Sequence, residues 1–173
     1  MNRFLEKAIA LDKKDSLNTF KEKFVTNPNL IYLDGNSLGK LPVKTIETTS
    51  NIVQNQWGNR LIRSWNEQWI DLSNEIAKKI AIIVGAQPDE IFVGDTTSLN
   101  LYKLLFAALN LQKDKTEIIT DDLNFPTDLY IIQGLIKQQF KHHNLKILES
   151  ENEISMNPTL VREAINKNTS LIT

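Results

Sequence analysis

Residues 117–148 read EIITDDLNFPTDLYIIQGLIKQQFKHHNLKIL and decide the fold. Two short apolar runs, Ile118–Thr120 and Leu145–Leu148, predict buried strands. Between them, the residues from Thr127 to about Gln139 predict a helix that is apolar on nearly every side and therefore buried. A strand, a helix and a second strand in this order are typical of a parallel α/β unit.

The same alternation extends to both sides of this unit. Ile91–Val93 predicts an earlier strand, and a helical stripe follows it at Leu101, Leu104, Leu105 and Ala108. On the other side, Asn157 and Pro158 suit the cap and the first residue of a helix, and Leu171–Ile172 predicts one more strand. We therefore expect an α/β fold with a mostly parallel sheet flanked by helices. Because the chain ends in that last strand, we expect the domain to be interrupted.

The residues before Ile91 are expected to be mainly helical. Apolar residues at helical spacing predict four helices: Phe4–Leu11, Leu17–Phe24, Pro42–Trp57 and Trp69–Val84. The loop Asp34–Gly39, DGNSLG, lies between the second and the third. The predicted organisation is an N-terminal helical segment with this GNSLG loop in residues 1–60, followed by an incomplete α/β large domain in residues 61–173.

The composition of the 173 residues limits the classes of function. Apolar residues make up 41% and charged residues 24%, which is ordinary for a soluble globular protein. A net charge of -1 argues against nucleic acid or an anionic membrane as a partner. The absence of cysteine excludes thiolate catalysis, disulfides and cysteine-based metal sites. With no pattern of a secretory signal and no long apolar run, we expect a cytoplasmic protein.

The segment Gly94–Ser98, GDTTS, follows the first predicted strand and opens a helix. A helix N-terminus offers unpaired N–H groups and the positive end of a dipole, which together favour a phosphate group. Ser and Thr hydroxyl groups can add further donors there. The alternative is that these residues only cap the helix, because Ser and Thr are preferred caps with or without a ligand.

A second segment, Asn124–Asp128, NFPTD, stands at the next crossing from strand to helix. Ligands of open α/β sheets bind beyond the carboxyl ends of the strands. Phe125 and Pro126 could offer a rigid flat face to a ring, and Asp128 a partner for a ring nitrogen. The alternative is that Phe125 belongs to the core, Thr127 caps the helix and Asp128 complements the helix dipole.

The other aromatic and basic residues give weaker signals. Three tryptophans and two arginines suit either a pocket for an aromatic ligand or ordinary helix packing: Trp57, Arg60, Arg63, Trp65 and Trp69. His142 and His143 are neighbours and so do not share one face of a helix or strand. We interpret them as solvated loop residues, and we predict no metal site.

Four segments taken together resemble the kynureninase family of pyridoxal-phosphate enzymes. They are IYLDGNSLGKLP from Ile31, RSWNEQWIDLS from Arg63, GAQPDEIFVGDTTSLNLYKLL from Gly85 and NFPTDLY from Asn124. The resemblance implies a fold-type-I large domain, pyridoxal 5′-phosphate as the cofactor, and a homodimer. It also implies hydrolysis of L-kynurenine to anthranilate and L-alanine, with 3-hydroxykynurenine as the related substrate.

The resemblance assigns six residues to the cofactor: Thr97, Ser98, Phe125, Pro126, Thr127 and Asp128. Thr97 and Ser98 match the positions that bind the phosphate. Phe125 matches the residue that stacks on the pyridine ring, and Asp128 would contact the cofactor near its ring nitrogen. We therefore expect the phosphate positions and the stacking residue to face one small molecule.

Two further residues, Ser37 and Trp65, fall where the family approaches its substrate. The family's Schiff-base lysine and its carboxylate-binding arginine lie beyond the equivalent of Thr173, and Lys103 is outside the lysine motif. The resemblance thus implies that this chain is inactive alone. The alternatives are another fold-type-I enzyme and a noncatalytic α/β module that binds a partner.

Overall fold

The computed structural model describes residues 2–173, whose contacts form two compact units. The first unit ends at Ile76, and the second runs from Ala77 to Thr173. The domain boundary expected after residue 60 stays a prediction. Residues beyond 60 contact the helix before it, because the side chains of Ser64 and Trp69 both donate hydrogen bonds to Gln56.

Helices make up most of the first unit, as expected. In chain order they are α1 (Arg3–Lys14), a 3₁₀ helix (Asn18–Lys23), α2 (Val43–Asn51), two π-helical segments (Ile52–Asn59 and Trp65–Trp69) and α3 (Ile70–Val84), which continues into the second unit. Helix α1 begins where the side chain of Asn2 accepts a hydrogen bond from the backbone N–H of Phe4 at 3.0 Å. Pro42 precedes α2 instead of opening it. No helix in residues 2–173 is long and apolar enough to cross a membrane.

The second unit alternates helices and strands. After the end of α3 its elements are a short 3₁₀ helix (Pro88–Glu90), α4 (Thr97–Leu111), β1 (Glu117–Asp121), α5 (Pro126–Gln138), β2 (Asn144–Leu148), α6 (Pro158–Ala164) and β3 (Thr169–Ile172). The strands form a sheet in the order β2-β1-β3, and both pairings are parallel. Helix α6 starts as predicted, with the Asn157 side chain accepting from the N–H of Thr159 at 2.9 Å. The α/β fold class is confirmed.

The core of the second unit lies around the central strand. Ile118 pairs with Leu145 of β2 on one side and with Leu171 of β3 on the other. Five buried side chains form the main cluster: Leu105, Leu109, Ile118, Ile132 and Leu135. They come from α4, β1 and α5, so both helices are held against the sheet by apolar burial.

Two predictions about this unit are wrong. Ile91–Val93 forms no strand, because an extended run becomes one only beside a partner strand, and the three strands described here pair with each other. Helix α5 is buried along one face only, with Ile132 and Leu135 inside and Tyr130 exposed. The remaining predicted strands and helices of the unit are confirmed.

Candidate functional site

The polypeptide folds into a tight turn where β1 ends. The Asp121 carboxylate accepts hydrogen bonds from the backbone N–H groups of Leu123 at 2.9 Å and Asn124 at 3.0 Å. The side-chain amide of Asn124 donates to the hydroxyl group of Thr120 at 2.9 Å, and Thr120 is only 1% exposed. Asp and Asn favour such turns because their short side chains bond to the nearby backbone. Residues 121–124 are therefore held in place by hydrogen bonds to the side chains of the last two residues of β1.

The same turn is tied to the neighbouring strand. The backbone N–H of Asp122 donates to the carbonyl oxygen of Leu148, the last residue of β2, at 3.1 Å. The Asp122 carboxylate accepts from the N–H of Ser150 at 3.0 Å. Because β1 and β2 are parallel, this is the carboxyl-terminal edge of both strands, where ligands of open α/β sheets bind.

The turn presents Phe125 to solvent. Phe125 is the residue just before α5, and it is 70% exposed although it is a large aromatic residue. Pro126 opens the helix, so Thr127 is its second residue and not its cap. The alternative in which Phe125 is core and Thr127 is the cap is thereby wrong. Asp128 lies in the first turn, where its carboxylate is close to the positive end of the helix dipole.

The helix that was expected to bind phosphate begins at Thr97. Thr96 is its cap, because its hydroxyl oxygen accepts from the N–H of Leu99 at 3.3 Å. Thr97 and Ser98 are the first two residues of α4, and their backbone N–H groups have no partner within the helix. Since Thr96 performs the capping, the hydroxyl groups of Thr97 and Ser98 are not needed for it.

The loop before α4 is held by two contacts. The side-chain amide of Asn100 donates to the carbonyl oxygen of Gly94 at 2.7 Å. Lys103 forms an ion pair with Asp95, whose backbone φ of 52° lies in the left-handed region. The Lys103 ammonium group therefore offsets the negative charge of Asp95 beside the first turn of α4, where that charge would oppose an anion.

Besides the apolar cluster, one hydrogen bond and one ring contact link α4 to the residues that follow α5. The side-chain amide of Gln139 donates to the hydroxyl group of Tyr102 at 3.4 Å, and the rings of Phe106 and Phe140 meet edge to face with centroids 5.7 Å apart. Gln139 and Phe140 follow α5, whereas Phe125 precedes it, about 20 Å away along the helix axis. These contacts do not join the first turn of α4 to Phe125. A single ligand bound by both remains a prediction.

The loop that carries Ser37 lies in the first unit and is held by Tyr32. The Tyr32 hydroxyl group is 2.8 Å from the carbonyl oxygen of Asp34 and 2.6 Å from that of Leu38. The Tyr32 hydroxyl group thus lies close to both ends of the loop, and Ser37 is exposed on it. The substrate-proximal role of Ser37 also remains a prediction.

Trp65 opens the second π-helical segment and is 50% exposed. Nearby, the Arg60 guanidinium group donates two hydrogen bonds to the Glu67 carboxylate. This bond and the positive charge of Arg60 lower the pKa of Glu67, and the pKa of Arg60 is raised in return. The guanidinium group of Arg60 is therefore paired with the Glu67 carboxylate. The role of Trp65 near a substrate remains a prediction.

The interpretation of His143 as a solvated loop residue is wrong. Its ring packs edge-on against Phe140 with centroids 5.4 Å apart, and both ring nitrogens are buried without a hydrogen-bond partner among the described residues. The cause is a turn in which the N–H of His143 donates to the carbonyl oxygen of Phe140 at 2.8 Å, which brings the two rings together. His142 is exposed as predicted. Residues 2–173 contain no group of side chains suited to a metal ion.

The hydrogen bonds that support Phe125 were missed in the sequence, although Asn124 was named as part of the NFPTD segment. Asp121 and Asn124 could have been found, because both follow an apolar strand and both favour turns with side-chain-to-backbone bonds. Thr120 could not, since nothing in the pattern says that its hydroxyl group faces the turn. Gln56 was missed for a similar reason, because its partners lie eight and 13 residues further along the chain.

The profile of the family described as Aminotransferase class-V matches residues 31–173. This chain belongs to that family. Enzymes of the family have the fold-type-I α/β domain and depend on pyridoxal 5′-phosphate, so the predicted fold type and cofactor are confirmed.

Individual relatives point in the same direction. The chain is 39% identical over 169 residues to a Pseudomonas fluorescens protein named kynureninase, an alignment that covers 95% of this chain and 39% of the relative. Proteins of the same name from Burkholderia mallei strain SAVP1 and Burkholderia pseudomallei strain K96243 are 40% identical over 149 residues, covering 83% of this chain and 36% of each relative. The chain thus spans about two fifths of the length of these relatives.

The residues present fit pyridoxal 5′-phosphate. The cofactor needs a flat apolar surface for its ring, and Phe125 is an exposed aromatic residue on a hydrogen-bonded turn. It also needs donors for a phosphate dianion, and the first turn of α4 offers N–H groups and the hydroxyl groups of Thr97 and Ser98. The chemistry of both groups matches the cofactor, and each stands in the part of the chain that the family profile matches.

Proposed function

We propose that this chain supplies cofactor-binding and substrate-proximal residues of a kynureninase. The reaction would be the hydrolysis of L-kynurenine to anthranilate and L-alanine, with 3-hydroxykynurenine as a second substrate, in tryptophan catabolism leading to NAD biosynthesis. The similarity to the Pseudomonas fluorescens kynureninase across 95% of the chain supports this choice over other class-V enzymes. A cytoplasmic homodimer is part of the same proposal.

The observation that carries the proposal is the exposure of Phe125. A large aromatic residue normally contributes to stability by being buried. Here the turn between β1 and α5 holds it out of the core, at the edge of the sheet where ligands bind. A ring stacked on Phe125 would cover this apolar face, and Asp128, one turn further along, would lie close to the ring nitrogen.

The phosphate group is proposed to bind at the first turn of α4. The unpaired N–H groups and the helix dipole favour a dianion there, and the hydroxyl groups of Thr97 and Ser98 add two donors. Lys103 keeps Asp95 from repelling that dianion by pairing with it. Hydrogen bonds to a charged acceptor are stronger than those between neutral groups, so this turn would supply much of the affinity.

When bound, the cofactor supplies the electron sink for carbanion chemistry. The residues of this chain would bind and orient it: Phe125 would fix the plane of the ring, Thr97 and Ser98 would hold the phosphate, and Asp128 would contact the cofactor near its ring nitrogen. None of the 173 residues is assigned as the lysine that carries the cofactor. The proposal therefore gives this chain binding of the cofactor and no turnover by itself.

The test is a calorimetric titration with pyridoxine 5′-phosphate, which lacks the aldehyde and cannot react with surface lysines. We expect saturable binding, weakened about tenfold or more by Thr97→Ala or Ser98→Ala, since each removes a hydrogen bond to a charged group. Thr159→Ala is the matched control, because Thr159 is also a hydroxyl residue in the first turn of a helix, α6. It should bind as the unsubstituted chain does.

Pyridoxine, which lacks the phosphate group, tests the contact with the ring separately from the contact with the phosphate. Its weaker binding should not change in Thr97→Ala or Ser98→Ala, because the ring contact remains. No saturable binding of pyridoxine 5′-phosphate, or equal weakening by Thr159→Ala, would contradict the site. Production of anthranilate from L-kynurenine by this chain alone, followed by its fluorescence, would contradict the assignment of binding without turnover.

A further inference from the structure

Gln56 holds together the two π-helical segments of the first unit. Its backbone carbonyl oxygen accepts a hydrogen bond from the hydroxyl group of Ser64 at 2.7 Å. Its side-chain carbonyl oxygen accepts one from the indole N–H of Trp69, also at 2.7 Å. Ser64 is 1% exposed, which makes it the most buried residue described in this unit. One residue therefore bonds to both ends of the stretch 64–69.

Trp65 lies between these two anchors. It directly follows Ser64, and the indole of Trp69 is one helical turn further along. A third link runs alongside, from Arg60 to Glu67. The chain reverses between the two segments at Leu61, whose φ of 54° is in the left-handed region. π-helical turns are rare and occur frequently at functional sites.

We infer that Gln56 is a positioning residue for Trp65. The Trp65 indole is half exposed, so its own contacts do not define its direction fully. Holding the side chains of Ser64 and Trp69 limits the directions that the indole between them can take. An aromatic substrate then meets a preformed surface, and less conformational freedom is lost on binding. The inference rests on the proposed function, because it assigns the aryl ring of L-kynurenine as the group that Trp65 meets.

The test without ligand uses the chain labelled with 5-fluorotryptophan. Its three ¹⁹F signals are assigned by replacing one tryptophan at a time with Phe. In Gln56→Leu, the Trp65 signal should move towards its position in the urea-unfolded chain while the far-UV circular dichroism stays unchanged. Gln54→Leu is the matched control, because Gln54 is an exposed glutamine in the same π-helical segment. It should leave the Trp65 signal in place.

Trp69→Phe tests the same bond from its other end. It removes the indole N–H but keeps the bond between Ser64 and Gln56, so it should displace the Trp65 signal as Gln56→Leu does. The double variant should add nothing further, because both changes remove one interaction. An unchanged Trp65 signal in Trp69→Phe, or an equal displacement in Gln54→Leu, overturns the inference. If Gln56→Leu unfolds, Trp69→Phe decides.

A titration with L-kynurenine, followed by the Trp65 signal, separates this inference from the proposed function. We expect about fivefold weaker binding in Gln56→Leu than in the unsubstituted chain, the effect of one lost hydrogen bond. Equal affinity in the two chains overturns the inference alone. No response of the unsubstituted chain contradicts the proposed substrate, and the ligand-free signals then still decide whether Gln56 positions Trp65.

Discussion

Replacing Phe125 by Ala distinguishes a ligand-binding ring from a core ring. Phe125 is 70% exposed, so truncation removes roughly 60 Å² of buried surface out of the roughly 200 Å² that an enclosed phenylalanine buries. At about 25 cal/mol per Å² the loss of unfolding free energy is at most about 1.5 kcal/mol. Ile132 on α5 provides the comparison, because it is 1% exposed and Ile132→Ala should cost about 2–5 kcal/mol.

The affinity for the ligand should show the opposite order, with a larger loss in Phe125→Ala than in Ile132→Ala. A stacked aromatic pair contributes about 0.5–1.5 kcal/mol beyond its area, so Phe125→Ala should bind pyridoxine 5′-phosphate about two- to tenfold more weakly. Urea unfolding measures the first effect and calorimetry the second, on the same two variants. Ile132→Ala, studied where it is fully folded, should keep its affinity. A Phe125→Ala variant that loses over 3 kcal/mol of stability, or that binds the ligand unchanged, would refute this reasoning.

Two further predictions concern groups around the proposed sites. The hydrogen bond from Arg60 lowers the pKa of Glu67, so the ionised carboxylate stabilises the fold above its unfolded pKa of roughly 4.3. This contribution is lost as the pH falls through the folded pKa, so below about pH 4.3 the urea midpoint should fall more steeply than it does in Glu67→Gln. Parallel pH profiles of the two chains would contradict this prediction. Thr120→Val leaves the Asn124 amide without its acceptor and should cost about 1–3 kcal/mol in urea unfolding, whereas Thr120→Ser should stay close to the unsubstituted chain. A loss in Thr120→Ser but not in Thr120→Val would show that the methyl group and not the hydroxyl group matters.

The central part of the fold was predictable because its signals are local. The apolar runs around Ile118 and Leu145 have the length of strands, and Pro126 stands where a helix can begin. Asn157 and Pro158 likewise mark the start of α6. Each of these signals lies within a few residues of the element that it predicts.

The errors concern structure that depends on distant residues. Ile91–Val93 has the composition of a strand, but strand formation depends on a partner that no local pattern identifies. His143 looked solvated within KHHN, and its burial follows from the position of Phe140 in three dimensions. The first π-helical segment lies mostly within the helix predicted at Pro42–Trp57, whereas the second, Trp65–Trp69, was not predicted to be helical. The bonds that Gln56 makes with Ser64 and Trp69 join residues eight and 13 positions apart, so no local pattern indicates them.

The left-handed residues show how far local strain can serve as a sign of function. A residue other than glycine in this conformation costs of order 1 kcal/mol, so the surrounding structure must hold it there. Leu61 is held between the segments that Gln56 joins, and Asp95 is held by Lys103 beside the first turn of α4. Glu153 is equally left-handed, yet its turn carries no residue assigned to a ligand. Strain therefore does not identify a site by itself. It supports one only where the contacts that maintain it also orient a functional side chain, as we propose for Leu61 and Asp95.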